Sequence, residues 1–447
     1  MAIKQVFKLR KGLDIRLQGK APEEKRQLAA TDDYGLMPAA FVGVTPKVVV
    51  KEGETVKAGD ALFVNKQYPD VKFASPVSGT VVAVERGERR KVLCVKVKAD
   101  KDQQYVDFGK KDVSALDGEA VKAALLEAGL FGYIDQLPYA VSTNPETKPK
   151  AIFVSALRDK PLAGSFEFEV KGQEADFQTG LTALSKIAPV YLGVGEGSSL
   201  AEMKDVEVNA FVGKCPAGNV GVQVNHIAPV NKGEVVWTVD PTAVLFFGRL
   251  FNTGKVNLTR TVAVGGSEVS SPAYVDALVG TSLGVILEGQ IKGENVRIVD
   301  GNPLTGKPST KEGYLGAHTS EVTVIPEGND ADEMLGWILP RLKQFSTSRS
   351  YFSWLCGKKE YALDARIKGG ERRMIMSGEY DKVIPMDIYP EYLVKAIITG
   401  DIDRQEALGI YEVSPEDFAL AEFVDSSKLE LQRIVREGLD ILRKENE

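Results

Sequence analysis

Cysteine, histidine and glycine are the residues whose spacing commits a chain most directly to metal, thiol or phosphate chemistry. The three cysteines, Cys94, Cys215 and Cys356, are far apart and form no C-x-x-C pair, so zinc-ribbon and iron–sulfur ligand runs are absent. The two histidines, His226 and His318, stand alone. They read as hydrogen-bonded structural residues, not as metal ligands or as the base of a Cys–His pair. No G-x-G-x-x-G or Walker A run occurs. Gly193-Val-Gly195-Glu-Gly197 follows a predicted strand, the right context for a phosphate loop, but its continuation does not match one. Gly129-Leu-Phe-Gly132 ends a predicted helix, where Gly129 serves as the C-terminal stop.

Two further patterns carry possible chemistry. Val50-Lys-Glu-Gly-Glu-Thr-Val-Lys-Ala-Gly59-Asp60 and Ser75-Pro-Val-Ser-Gly-Thr-Val81 match the pattern of a biotinyl/lipoyl-type barrel-sandwich. A carrier domain needs a lysine at the hairpin tip between the two halves. That place falls near Tyr68, two residues from Lys66, so the barrel is expected to be structural. Phe131, Tyr133, Leu137 and Pro138, with Tyr34, Leu36, Met37 and Pro38 nearer the N-terminus, form an apolar and aromatic set. A quinone site needs an apolar slot and a few donors to the ring carbonyls, which tyrosine hydroxyls and backbone N–H groups supply. Ordinary core packing is the competing reading.

These residues must be positioned by a multidomain α/β and α+β chain. Its 447 residues suffice for about three domains. A net charge of -6 argues against nucleic acid as a partner. No apolar run approaches the roughly 18 residues of a membrane span. Met1–Gly19 has no secretory signal character, so a cytoplasmic setting with reduced thiols is expected, and any membrane role is expected to pass through a partner protein. Residues 1–40 read as an extended arm, 41–100 as the barrel-sandwich hybrid domain, and 101–255 as a Rossmann-like α/β domain. In the last, helix 119–128, strand 151–154, helix 176–187 and strand 190–194 alternate as in a parallel sheet. Residues 256–330 return to β-structure, and 331–447 read as mainly helical. Ser414-Pro-Glu-Asp417 is a helix start, and a last amphipathic helix covers about 427–443.

Taken in order, these pieces resemble the A-subunit family of the sodium-translocating NADH:quinone oxidoreductase. The likeness runs from Lys11-Gly-Leu-Asp14 and the barrel through Gly129–Gly132, Ile152-Phe-Val-Ser-Ala156, Pro216-Ala-Gly218, Val236-Trp237 and Gly265-Gly266. It closes on Gly369-Gly-Glu-Arg-Arg-Met374 and Gly378–Asp387. The resemblance implies an α/β domain related to the flavoprotein subunit of respiratory complex I and a β-grasp, SLBB-like domain at 256–330. It implies a peripheral place on the cytoplasmic face of the bacterial inner membrane, docked chiefly on the membrane-embedded B subunit of a six-subunit complex. That complex oxidises NADH, reduces quinone and exports sodium ions.

The flavin-binding relatives carry a longer glycine run, G-x-G-G-x-G-F-P, near Gly129–Gly132. Phe131, Tyr133 and Ile134 stand in its place here, and Arg158-Asp159-Lys160-Pro161 replaces the acidic residues that follow the next strand. Also missing are the cysteine quartets that the C subunit of the Rnf complex carries. The resemblance therefore implies a chain with no redox cofactor, no metal and no independent catalysis, NADH, flavins and iron–sulfur centres being left to other subunits. Quinone is its implied ligand, through the segments matching Asp32–Ala39 and Phe131–Pro138: Tyr34, Leu36, Met37, Pro38, Phe131, Gly132, Tyr133, Leu137 and Pro138. Two other readings stay open, a dehydrogenase chain that binds flavin or nucleotide itself and a ligand-free docking module.

Overall fold

The computed structural model describes residues 3–329, 341–342, 344–357 and 359–446. Its first strand, Gln5–Lys8, belongs to a sheet whose other members come from far along the chain. Seven strands lie in the order Gln5–Lys8, Glu207–Val212, Val190–Val194, Ile152–Ser155, Val236–Val239, Ile134–Leu137 and Val141–Ser142. The first five run parallel; the last two form an antiparallel hairpin on the far edge. Parallel strands need crossover connections. Helix Glu174–Ser185 lies in the one between Ile152–Ser155 and Val190–Val194, and Val220–Ile227 in the one between Glu207–Val212 and Val236–Val239; helix Pro241–Thr253 follows the last parallel strand. The apolar run Ala243–Phe247 sits inside the last of these, which is buried from Pro241 to Phe251 and packs closely along helix Glu174–Ser185, Gly248 lying against Asp176 and Gly180 against Val244. Asp240 caps its start with Pro241 at the first helical position, and Gly254 in the left-handed conformation ends it.

The barrel-sandwich consists of a three-stranded and a four-stranded sheet around Leu62, Phe63, Phe73, Val81, Val95 and Val97. Its edge strand is Asp33–Leu36, paired antiparallel with Val92–Ala99, so the arm completes the barrel as well as the α/β sheet. Thr259–Gly265 and Glu321–Pro326 run parallel at the centre of the five-stranded β-grasp sheet, with Leu283–Ile286 as its short helix. The fold is thus the expected multidomain α/β and α+β arrangement.

Among the described residues the C-terminal α-helices begin at Tyr380. Residues 331–340, with which the expected helical region opens, lie outside the described residues. From 341 to 379 the described chain is irregular apart from one 3-10 turn, Phe352–Cys356. That stretch shows no apolar periodicity, and Gly369-Gly370 interrupts it. Ser414 and Asp417 form the reciprocal capping box, and the last helix runs Leu431–Asn446, a few residues later than the periodicity suggested. Leu431, Val435, Leu439 and Leu442 pack in one cluster with Ile15 and Leu17 of the arm.

Candidate functional site

The carboxyl ends of Ile152–Ser155 and Val236–Val239 open onto a cavity of about 410 Å³. These two strands are neighbours, yet the chain leaves the first toward Val190–Val194 on one side and returns on the other. Where strand order reverses in this way, the crossover helices diverge and leave a crevice, the usual ligand position in an open α/β sheet. Three other parts of the chain close it over: Met37, Ala39 and Ala40 of the arm, Gly316–Glu321 and Asp300–Asn302 of the β-grasp domain, and Glu416 from the C-terminal region.

Its floor is a charge network. Arg158 donates to Glu169 at 2.8 Å and to the Thr242 hydroxyl at 2.8 Å. The Glu169 side chain is only 1% exposed, so this pair is a buried one. Asp240 accepts from the Thr242 N–H at 2.8 Å and lies 3.7 Å from both Arg158 and Arg260. Burial alone would raise its pKa, but the two guanidiniums outweigh that and hold the carboxyl below the usual range. Asp135, from the antiparallel strand, is pushed up to about 7 by burial and by the Asp240 charge. Burial pulls His318 down to about 4 against the pull of Asp240, so its ring is neutral at pH 7. Lys160 is tied to Glu416 at 2.6 Å. The cavity thus places a proton-exchanging carboxyl and a neutral imidazole in one water-accessible, largely self-neutralised space.

The nine residues expected at a quinone slot are distributed differently. Met37 lines the cavity. Tyr34 is half-buried beside the core, while Leu36 and Pro38 are buried. Phe131 is fully buried with its ring edge-on to Trp237. Tyr133 is buried edge-on to Phe41 and Phe246 and leans on His318, so it backs the cavity wall at one remove. Leu137 belongs to a separate cluster with Val224 and Val236, and Pro138 is buried. In the strand Ile134–Leu137, Asp135 is the side chain that reaches the cavity.

Gly129 and Gly132 face the barrel. A Cβ on Gly132 would stand 2.3 Å from the Phe73 ring, and one on Gly129 would stand 2.9 Å from the Ala74 nitrogen. These glycines therefore serve the close approach of two domains. At the Gly195–Gly197 loop, the Glu167 carboxylate accepts from the Ser198 and Ser199 hydroxyls. Tyr68, at the place of a carrier lysine, accepts from the Asn144 amide at 3.2 Å and is docked against the α/β domain.

Sequence reasoning missed Asp135, Asp240, Arg260 and His318. One local signal existed for Asp240: an acid followed by proline at the end of a strand marks a helix start facing the carboxyl edge of a sheet. Among the described residues no cluster of three or more His, Cys, Asp or Glu side chains could hold a metal ion. No helix among them is long and apolar enough to cross a membrane.

Family models match in chain order. The NqrA N-terminal barrel-sandwich hybrid domain matches residues 7–100, the NqrA second alpha/beta domain residues 116–256, and the NQRA C-terminal domain residues 261–311. The A subunit of the Na(+)-translocating NADH-quinone reductase of Haemophilus influenzae (strain 86-028NP) is 32% identical over 445 residues, covering 98% of this chain and 99% of its own length. The protein of the same name from Serratia proteamaculans (strain 568) is 33% identical over 449 residues, covering 98% and 100%. Among solved structures, a crystal structure of an NAD+-reducing nickel–iron hydrogenase in the H2-reduced state aligns at a TM-score of 0.36 and 11% identity. That alignment covers 74% of this chain and 64% of the hydrogenase chain. With near-complete coverage at that identity and three domain models in register, the chain belongs to the family of A subunits of the Na(+)-translocating NADH-quinone reductase.

Proposed function

We propose that this chain is the peripheral A subunit of a sodium-exporting NADH:quinone reductase, held at the cytoplasmic face by the membrane-embedded B subunit, and that it contributes to quinone binding without a redox cofactor or a bond-making step of its own. NADH, flavins and iron–sulfur centres are assigned to its partners. The observation that carries the reading is the cavity at the strand-order reversal. Its volume lies within the range of small-molecule sites. An apolar arm residue, Met37, stands at one side, and Asp135 and His318 at another. A quinone headgroup needs apolar cover, polar partners for its two carbonyl oxygens and, on reduction, protons. Direct contact is assigned to Met37 and Asp135. Tyr34, Leu36 and Pro38 shape the arm that carries Met37, while Phe131, Gly132, Tyr133, Leu137 and Pro138 hold the wall behind.

Photoreactive quinone, titrated onto the chain alone and onto its complex with the B subunit, tests this. Saturable labelling within the arm 32–40 or the strand Ile134–Leu137, reduced in Met37→Lys and Asp135→Asn, is expected. No saturable labelling of that complex removes the quinone role and leaves a docking module.

A second reading, a flavin or nucleotide in the same cavity, is favoured by its place in the sheet and by the lining cations Arg158, Lys160 and Lys307. Arg158 and Lys160 are already engaged by Glu169 and Glu416, which counts against it. The visible spectrum of the purified chain decides: a stoichiometric flavin band establishes the second reading.

A further inference from the structure

We propose that the turn Phe352–Cys356 and the run Ile367–Met376 lie directly on the surface of an anionic phospholipid bilayer. The observations are independent of the quinone reading. Within a chain of net charge -6, the sequence around them, 341–376, holds nine Lys and Arg against three Asp and Glu. It also carries apolar side chains in water. Phe352 is 55% exposed, Leu355 64%, Ile367 64% and Ile375 57%.

The 3-10 turn Phe352–Cys356 explains the first pair. At three residues per turn, positions 352 and 355 eclipse on one edge. Ser353 is buried at 1%, which fixes that edge outward. Trp354 is 46% exposed, with the Arg349 guanidinium 5.3 Å from its ring centre. In the second run, Lys368, Arg372 and Arg373 are exposed between Ile367 and Ile375. The stretch is pinned from behind. The Tyr361 N–H donates to the Arg16 carbonyl at 2.9 Å, the Ala365 N–H to Pro326 at 2.9 Å and the Arg372 N–H to Ser427 at 2.8 Å. Phe352, Leu355, Ile367 and Ile375, with Arg349, Lys368, Arg372 and Arg373 among the cations, are thus turned to solvent on a chain tied to the rest of the fold.

Aromatic and aliphatic tips interleaved with arginine and lysine are the composition of segments that sit at the headgroup boundary. The apolar tips enter the acyl edge while the cations meet lipid phosphates. Such a contact needs no spanning helix, and a sequence search for spans does not detect it. The excess of positive charge in an otherwise acidic chain favours an anionic bilayer over a protein groove.

The full chain is to be sedimented with vesicles of phosphatidylcholine alone and with about one-third phosphatidylglycerol, at low and at high salt. Binding to the anionic vesicles at least roughly 10-fold above the neutral ones is expected, lost at high salt, with a blue shift of tryptophan emission that Trp354→Phe removes. Arg372→Gln with Arg373→Gln weakens it on the order of 10-fold or more, each cation near the surface counting about 1 kcal/mol. Phe352→Ser with Leu355→Ser weakens it at constant charge. All four positions are exposed, and an unchanged circular dichroism spectrum confirms folding of the variants. Equal binding to both vesicle types, or variants that bind as the parent does, overturns the proposal. So does a segment that leaves vesicle binding untouched but whose variants release the chain from the B subunit in lipid-free detergent, since that makes it a protein interface.

Discussion

Replacing Asp135 by asparagine is expected to stabilise the protein at neutral and alkaline pH and to do little near pH 4. The carboxyl sits at about 7 in the fold, against an ordinary value of 3.8. Below that ordinary value it is protonated in both folded and unfolded chains and has no effect. Between about 4 and 7 the unfolded chain releases the proton while the folded chain keeps it, so stability falls as pH rises through this window. Above 7 the cost is constant. The whole displacement corresponds to about 4 kcal/mol. Because Asp135 lines the cavity and meets its water, about half of that, ~2 kcal/mol, is the expected size. Asparagine keeps the shape of the protonated acid and never ionises. Its thermal midpoint at pH 8 is therefore expected to exceed that of the parent by about 4–8 °C for a domain of this size, and the gap narrows toward pH 4.5. Scanning calorimetry of both proteins across this range reads the difference, in which the other titrating groups cancel. A gap that stays constant with pH refutes the assignment of a raised Asp135, and with it the idea of a proton-exchanging group in the cavity.

Arg158→Ala strips the partner from Glu169, whose side chain is 1% exposed, and is expected to cost about 3–5 kcal/mol in urea denaturation; a loss below about 1 kcal/mol contradicts the buried-pair reading. Gly132→Ala drives a methyl group to within 2.3 Å of the Phe73 ring, with an expected loss of about 1–3 kcal/mol. The additional Phe73→Leu substitution is expected to recover part of that loss, because it removes the obstructing ring. Cys356 is exposed while Cys94 and Cys215 are buried, and burial pushes the Cys94 thiol up to about 12. A thiol reagent at pH 8 is expected to modify Cys356 rapidly, with the two buried thiols following only after denaturant is added.

Much of the fold was legible because its signals are local. Gly129 stops the helix Gly118–Glu127 in the left-handed conformation, as its place in the sequence suggested. Strand Val190–Val194 was readable from its own residues, and so was the capping box at Ser414. The pairing of the extended arm was not legible. Val6 is exposed, and Gln5–Lys8 is held as a strand by backbone pairing with Glu207–Val212, a partner that no local pattern in the arm reveals. The lining of the cavity was not legible for the same reason. Met37, Asp135, Asp240 and His318 come from four separated segments and meet only once the sheet is ordered. The aromatic set around Phe131 looked like a ligand slot because core and ligand sites draw on the same side chains. Composition does not distinguish Phe131 against Trp237 from Phe131 against a ring from outside.

In an open parallel sheet the crevice follows from topology, since crossover helices must diverge where the strand order reverses. Side chains decide what that space accepts. Here two of the three Lys and Arg side chains lining the cavity are bound to the chain's own carboxylates, Arg158 to Glu169 and Lys160 to Glu416, while the third, Lys307, donates to the Ala39 carbonyl. The hydroxyls at the neighbouring loop are likewise given to Glu167. An anionic ligand that took Arg158 would strand the buried Glu169 carboxylate, at a cost of about 3–5 kcal/mol. A neutral headgroup with two carbonyl oxygens would break none of these contacts. The internal ion pairs thus weigh against an anionic ligand before any specific contact is made, and that asymmetry supports the proposal of a neutral quinone over a nucleotide.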